Sequence, residues 1–107
     1  MLLEKIHRIA NHYGLTKQQR QLAEECAELI QATSKYMRFE EGLITKDDIL
    51  VSTEDSNLLI QNIVEEIADV EVIIEQVKYL LHINPMAIEE IKEKKVDRQL
   101  LRMEKEV

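Results

Sequence analysis

Two glycines and one proline are all that punctuate 107 residues, against a usual frequency of roughly 7% and 5%. A β-sandwich or barrel needs turn-formers at close, regular intervals, so a turn-rich fold is excluded and helices are the remaining way to satisfy the backbone. The hydrophobic residues agree with that reading. Over residues 2–12, Leu2, Leu3, Ile6, Ile9 and Ala10 fall at helical spacing, and Gly14 follows where a glycine can take a left-handed cap. Thr16 and Gln19 form a capping-box pattern ahead of Leu22, Ala23, Cys26, Ala27, Leu29, Ile30, Thr33 and Met37, which predict a second helix to about residue 39.

Residues 40–52 lose the periodicity and contain Gly42, so they read as a connecting loop, with Thr45-Lys46-Asp47-Asp48 able to start one or two helical turns. A third periodic stretch, starting between residues 53 and 57 and continuing to about 82, would extend on the order of 40 Å at 1.5 Å per residue. Leu59, Ile63, Ile67, Val70, Ile74, Val77 and Leu81 lie on its main apolar face, and Ile60, Val64, Val72 and Leu80 widen that face until one neighbour cannot cover it. Asn84-Pro85 supplies an N-cap followed by proline at the first helical position, opening a charged final helix with Met86, Ile88, Ile91, Leu100 and Met103. The expected architecture is a single all-α domain over residues 1–107, of four-helix-bundle type. Two of the other three helices are short or highly charged, so the apolar surface of the third calls for a homo-oligomer, a homodimer or homotetramer, to complete the core.

The formal charge of −7 argues against a partner that is itself a polyanion such as nucleic acid. It leaves room for a phosphate-bearing small molecule, because a bound divalent cation reverses the local sign. Cys26 is the only cysteine, which excludes an intrachain disulfide and a cysteine-held zinc. No segment has the apolar length of a signal peptide core or of a membrane span, so a cytoplasmic protein with no membrane partner is expected.

Two hexads share one pattern. Glu24-Glu25-Cys26-Ala27-Glu28-Leu29 and Glu65-Glu66-Ile67-Ala68-Asp69-Val70 both read acid, acid, apolar, alanine, acid, apolar. On a helix, Glu25 with Glu28 and Glu66 with Asp69 each make a row of two carboxylates one turn apart. Like charges in such a row repel unless a cation sits between them. Glu66 falls at the angle of Leu59, Ile73 and Val77, inside the apolar sector, and Asp69 lies on its border with Asn62 beside it. A carboxylate directed toward a core has to be neutralised, protonated or metal-bound. If the second and third helices pack antiparallel, the two rows meet. Four carboxylates then balance two divalent cations, and all-oxygen donors favour Mg²⁺, with Mn²⁺ as a substitute, over zinc. The plain alternative is that an acid-rich chain forms such pairs by chance on solvated helix faces.

Glu24-Glu25-x-x-Glu28 followed on a second helix by Glu66-x-x-Asp69 resembles the MazG-like branch of the all-α nucleoside triphosphate pyrophosphohydrolases, whose relatives include the all-α dimeric dUTPases and phosphoribosyl-ATP pyrophosphohydrolase. The resemblance covers about residues 16–81, and extends weakly to Lys95-x-x-Arg98, which is similar to basic residues that follow the core in many members. It implies that Glu25, Glu28, Glu66 and Asp69 ligate Mg²⁺ and that Glu24 is a supporting acid or activates the attacking water. It also implies hydrolysis between the α- and β-phosphates of a nucleoside triphosphate, giving a monophosphate and pyrophosphate. The connection over residues 40–56 is longer than the family pattern, which leaves the base and sugar open.

Lys35-x-x-Arg38 places two cations one turn apart beyond Glu28, where they are expected to meet phosphates, as are Lys95 and Arg98; cations at a helix C-terminus and on a charged face account for them as well. Asn62, one turn before Glu66, is a further candidate for contact with the substrate, or else a satisfied interior amide. Tyr36 and Tyr79 read as core-edge packing, Cys26 as a small core residue, and His7, His12 and His82 as exposed. Two other functions fit the same residues: a helical oligomerisation or regulatory module without catalysis, and a hydrolase of phosphoribosyl-ATP.

Overall fold

The computed structural model describes residues 1–42 and 53–106, the side chains of 53–55 aside. Four helices follow one another: α1 Leu2–Tyr13, α2 Leu15–Glu40, α3 Thr53–Leu80 and α4 Pro85–Lys105. There is no strand among the described residues. The short helix expected near Thr45 lies outside them.

α1 and α2 are separated by one residue. Gly14 adopts φ 84° and ψ 167°, an extended conformation of positive φ rather than the left-handed cap expected, and only glycine enters it without strain. α2 begins at Leu15 directly after this glycine and has no side-chain cap, so the Thr16–Gln19 capping box is not formed. The tight Gly14 corner starts the helix at Leu15, two residues too early for Thr16 to stand outside it as the cap. α3 ends as its left-handed stop requires, with His82 at φ 55°. There the N–H of Ile83 donates to the Lys78 carbonyl at 3.0 Å and that of His82 to the Tyr79 carbonyl at 3.1 Å, the double closure of a Schellman motif. Asn84 caps α4 as expected, its Oδ1 accepting from the Met86 N–H at 2.9 Å.

α2 packs chiefly against α3, and α1 lies across α3 with a lighter contact to α2. The pairings run antiparallel in one register: Gln18 meets Gln76, Glu25 and Glu28 meet Glu66 and Asp69, and Lys35 shares a cleft with Leu59. Gln18 and Gln76 are both buried, and the Gln18 Nε2 donates to the Gln76 Oε1. Two amides that satisfy each other inside an apolar interface discriminate against slipped registers, which would leave both unpaired. The buried apolar residues of the described chain are few: Ile6 and Ala10 from α1, and Val70 and Ile73 from α3. His7 is half-buried, not exposed, because its ring stacks on Tyr79 at 3.9 Å, and Tyr79 Oη accepts from the Asn11 Nδ2 at 2.9 Å.

α4 is where the structure departs from a bundle within one chain. None of its residues is buried and it has no extended packing partner among α1, α2 and α3. Val96, Leu100 and Met103, at helical spacing, are all more than half exposed, as is Val64 on α3. The accessible surface is 8866 Å², where a compact monomer of 12.6 kDa exposes about 6,200 Å². The radius of gyration is 18.4 Å, against about 13 Å for a compact chain of this length.

Candidate metal centre

The site is assembled from two adjacent turns of α2 and the two turns of α3 that face them. Helical spacing makes each row locally; the antiparallel register set by the apolar contacts and by Gln18–Gln76 brings the rows together. Glu25, Glu28, Glu66 and Asp69 each direct a carboxylate oxygen to one point, and these four atoms lie within 4.8 Å of one another. Among the described residues none of the four pairs with Lys, Arg or His.

Burial divides the four. Glu25 and Glu66 are half-buried, and Glu28 and Asp69 are exposed at the mouth. Glu25 Oε2 and Glu66 Oε2 are both buried without a hydrogen-bond partner. The other oxygen of Glu25 is held: Gln21 Nε2 donates to Oε1 at 2.7 Å. A buried carboxylate oxygen with no donor has lost its water and gained nothing in exchange, at a cost of order 1–3 kcal/mol or more for a charged group. Two of them, on facing helices and belonging to one carboxylate cluster, are the arrangement that a hard divalent cation compensates. The donor set, four carboxylates with no imidazole or thiolate, fits Mg²⁺ or Mn²⁺ and not a zinc site.

An open cleft of about 390 Å³ adjoins the cluster, lined by Glu28, Gln31, Ala32, Lys35, Leu59, Asn62 and Glu66. Lys35 and Asn62, both named from the sequence, thus stand beside the carboxylates. Glu24 is exposed on the neighbouring flank of α2. Arg38, a turn beyond Lys35, is exposed and does not line the cleft, and Lys95 and Arg98 sit on the outstanding α4. The residue that sequence reasoning missed is Gln21. Its signal was its place four residues before Glu25, the spacing at which an amide reaches a carboxylate along a helix.

No family model, no curated protein and no solved structure matches this chain. What the fold and the cluster define is an all-α chain with a four-carboxylate centre between two antiparallel helices. No helix of the described residues is long and apolar enough to cross a membrane.

Proposed function

We propose that the protein is a Mg²⁺-dependent nucleotide pyrophosphohydrolase of MazG-like type, cleaving a ribo- or deoxyribonucleoside triphosphate between its α- and β-phosphates. The observation that carries this reading is the pair of buried, partnerless oxygens, Glu25 Oε2 and Glu66 Oε2, inside a cluster of four carboxylates. The resemblance of the two acid motifs supplies the reaction class.

In this reading Glu25, Glu28, Glu66 and Asp69 hold Mg²⁺, with Mn²⁺ as a substitute. The metal supplies neutralisation of phosphate oxygens and orientation of water. Glu24 accepts the proton of the attacking water. The water oxygen bonds to the α-phosphorus, the bond from that phosphorus to the bridging oxygen breaks, and its electron pair leaves with pyrophosphate. Lys35 and Asn62 contact the substrate from the adjoining cleft, while Arg38, Lys95 and Arg98 serve phosphates only if another chain or a bound ligand brings them near.

The acting form is a homodimer or homotetramer in a cytoplasmic setting. The exposed Val64 and Ile67 of α3 and Val96 and Leu100 of α4 give such an assembly apolar surface to bury. The same exposed surface favours the second reading, a helical oligomerisation module without catalysis.

Incubation with Mg²⁺ and a panel of standard and modified nucleoside triphosphates separates the two. Monophosphate and pyrophosphate, absent with Glu66→Gln, is the expected result. No turnover across the panel would leave the module, or phosphoribosyl-ATP as substrate.

A further inference from the structure

α2 displays a polar stripe along one flank. Lys17, Gln21, Glu24, Glu28, Gln31 and Lys35 follow at intervals of four and three residues, which keeps them in line on a helix. Its centre is acidic and adjoins the metal centre, an amide follows on either side, and a lysine stands at each end. From Lys17 to Lys35 the stripe runs about 27 Å at 1.5 Å per residue.

The two ends differ in what surrounds them. Beyond Glu28 lies the cleft with small Ala32, apolar Leu59 and the amides of Gln31 and Asn62. Before Glu25 lies a second cleft of about 480 Å³, lined by Tyr13, Lys17, Gln18, Arg20 and Gln21. It shares Tyr13 with a third of about 410 Å³ whose other walls are Lys5, Arg8, Ile9 and His12. No carboxylate lines either of these two, although the chain has 21 acids to 14 Lys and Arg. The charge is segregated along the chain: residues 1–23 carry Lys5, Arg8, Lys17 and Arg20 against Glu4 alone, net +3, and the rest carries −10. Lys17 and Arg20 are exposed and form no ion pair among the described residues; Lys17 Nζ lies 5.8 Å from the centre of the Tyr13 ring. Gln21 joins the basic cleft to the acidic centre, since it lines the one and donates to Glu25 of the other.

We propose that the cleft of Lys17 and Arg20 binds the terminal phosphates of a polyphosphate whose inner phosphates lie at the carboxylate centre. The position of the inner phosphates rests on the metal reading above; the anion site rests on Lys17 and Arg20 themselves. Arg20 lies four residues from Glu24, about 6 Å along the axis, and Lys17 about 12 Å from Glu25, within reach of long side chains. A guanidinium presents paired donors to phosphate oxygens, and an ammonium adds a point charge. The opposite cleft is mostly polar, with Ala32 and Leu59 set among the amides of Gln31 and Asn62 and the charges of Glu28, Glu66 and Lys35; its amides and its two apolar side chains can meet a base, so the ligand has a direction: nucleoside toward Lys35, terminal phosphates toward Lys17. Charge that develops on a departing pyrophosphate then meets two cations.

The test is calorimetric titration of the full chain with inorganic pyrophosphate, once in chelator and once with Mg²⁺ equal in cell and syringe. Wild type, Lys17→Gln/Arg20→Gln, Arg20→Lys and Glu66→Gln are compared, with circular dichroism as the control for folding. The expected result is metal-free binding that weakens at least tenfold in the double variant, is largely kept in Arg20→Lys and weakens with added salt. Mg²⁺ should strengthen binding in wild type and not in Glu66→Gln. Equal affinity in wild type and the double variant, or no pyrophosphate binding in either condition, would overturn the proposal. Binding that needs Lys17 and Arg20 yet ignores Mg²⁺ supports the anion site and overturns the metal reading instead.

Discussion

Gln18 and Gln76, 58 residues apart in sequence, bury their amides against each other between α2 and α3, with the Gln18 Nε2 donating to the Gln76 Oε1. Gln18 sits two turns before Glu25 and Gln76 two turns after Asp69, so the register this pair enforces is the one that makes the two acid rows meet. Replacing Gln18 with Leu strands the partner amide, and stability in urea should fall by about 1–3 kcal/mol. The double variant with Gln76→Leu should recover most of that loss. A double variant no more stable than the single one would show that the amides are not coupled.

On the proposed metal reading, the carboxylate cluster has a stability signature as well as a catalytic one. Glu66→Gln removes one charge from a repelling cluster, so in chelator its melting temperature should equal or exceed that of wild type. Mg²⁺ at a hundredfold excess over its Kd should stabilise wild type by about 2.7 kcal/mol and leave Glu66→Gln unmoved. A melting temperature insensitive to Mg²⁺ and Mn²⁺ in wild type would mean that the four acids are solvated surface charges.

Gln21 donates to Glu25 Oε1 and so fixes the carboxylate whose Oε2 is buried without a partner. Gln21→Met keeps the length and helix preference of the side chain but donates nothing. Free Mn²⁺ counted by electron paramagnetic resonance should report at least a tenfold loss of affinity, the usual effect of removing a group that orients a ligand. Gln19→Met, on the exposed side of the same helix, should bind as wild type does.

Backbone conformation at two helix ends makes predictions of opposite sign. Gly14 has φ 84° with nothing within 4 Å of where a Cβ would lie, so Gly14→Ala meets conformational strain alone, about 1–3 kcal/mol of destabilisation. His82 is exposed at φ 55°, and His82→Gly should stabilise by about 1 kcal/mol. Both are read from thermal or urea unfolding.

Light scattering on a sizing column tests the proposed assembly. A mass of two or four chains is expected, and Val64→Lys, on the exposed apolar side of α3, should lower it. A monomer at every concentration would remove the homo-oligomer from the reading.

Much of this molecule was legible in its sequence, because the signals concerned are local. Helix positions follow from apolar spacing and caps: α3 begins at Thr53, at the early edge of the start expected between residues 53 and 57, and α4 begins at Pro85 as the Asn84-Pro85 cap predicts. The two acid rows follow from i and i+3 geometry, and Glu66 is half-buried as its place in an apolar sector requires. The Thr16 capping box failed because a local pattern was overridden by its neighbour: the Gly14 corner starts α2 at Leu15. What only the tertiary structure decided are relations across long separations. The meeting of four oxygens within 4.8 Å, the two left without partners, the hold of Gln21 on one of them, and the basic cleft beside the α1–α2 corner depend on how helices pack. So does the sparse packing of α4 against the other three. A helical repeat states which side chains share a face; which face meets which, and at what register, is settled by burial and hydrogen bonding between residues that the sequence keeps dozens of positions apart.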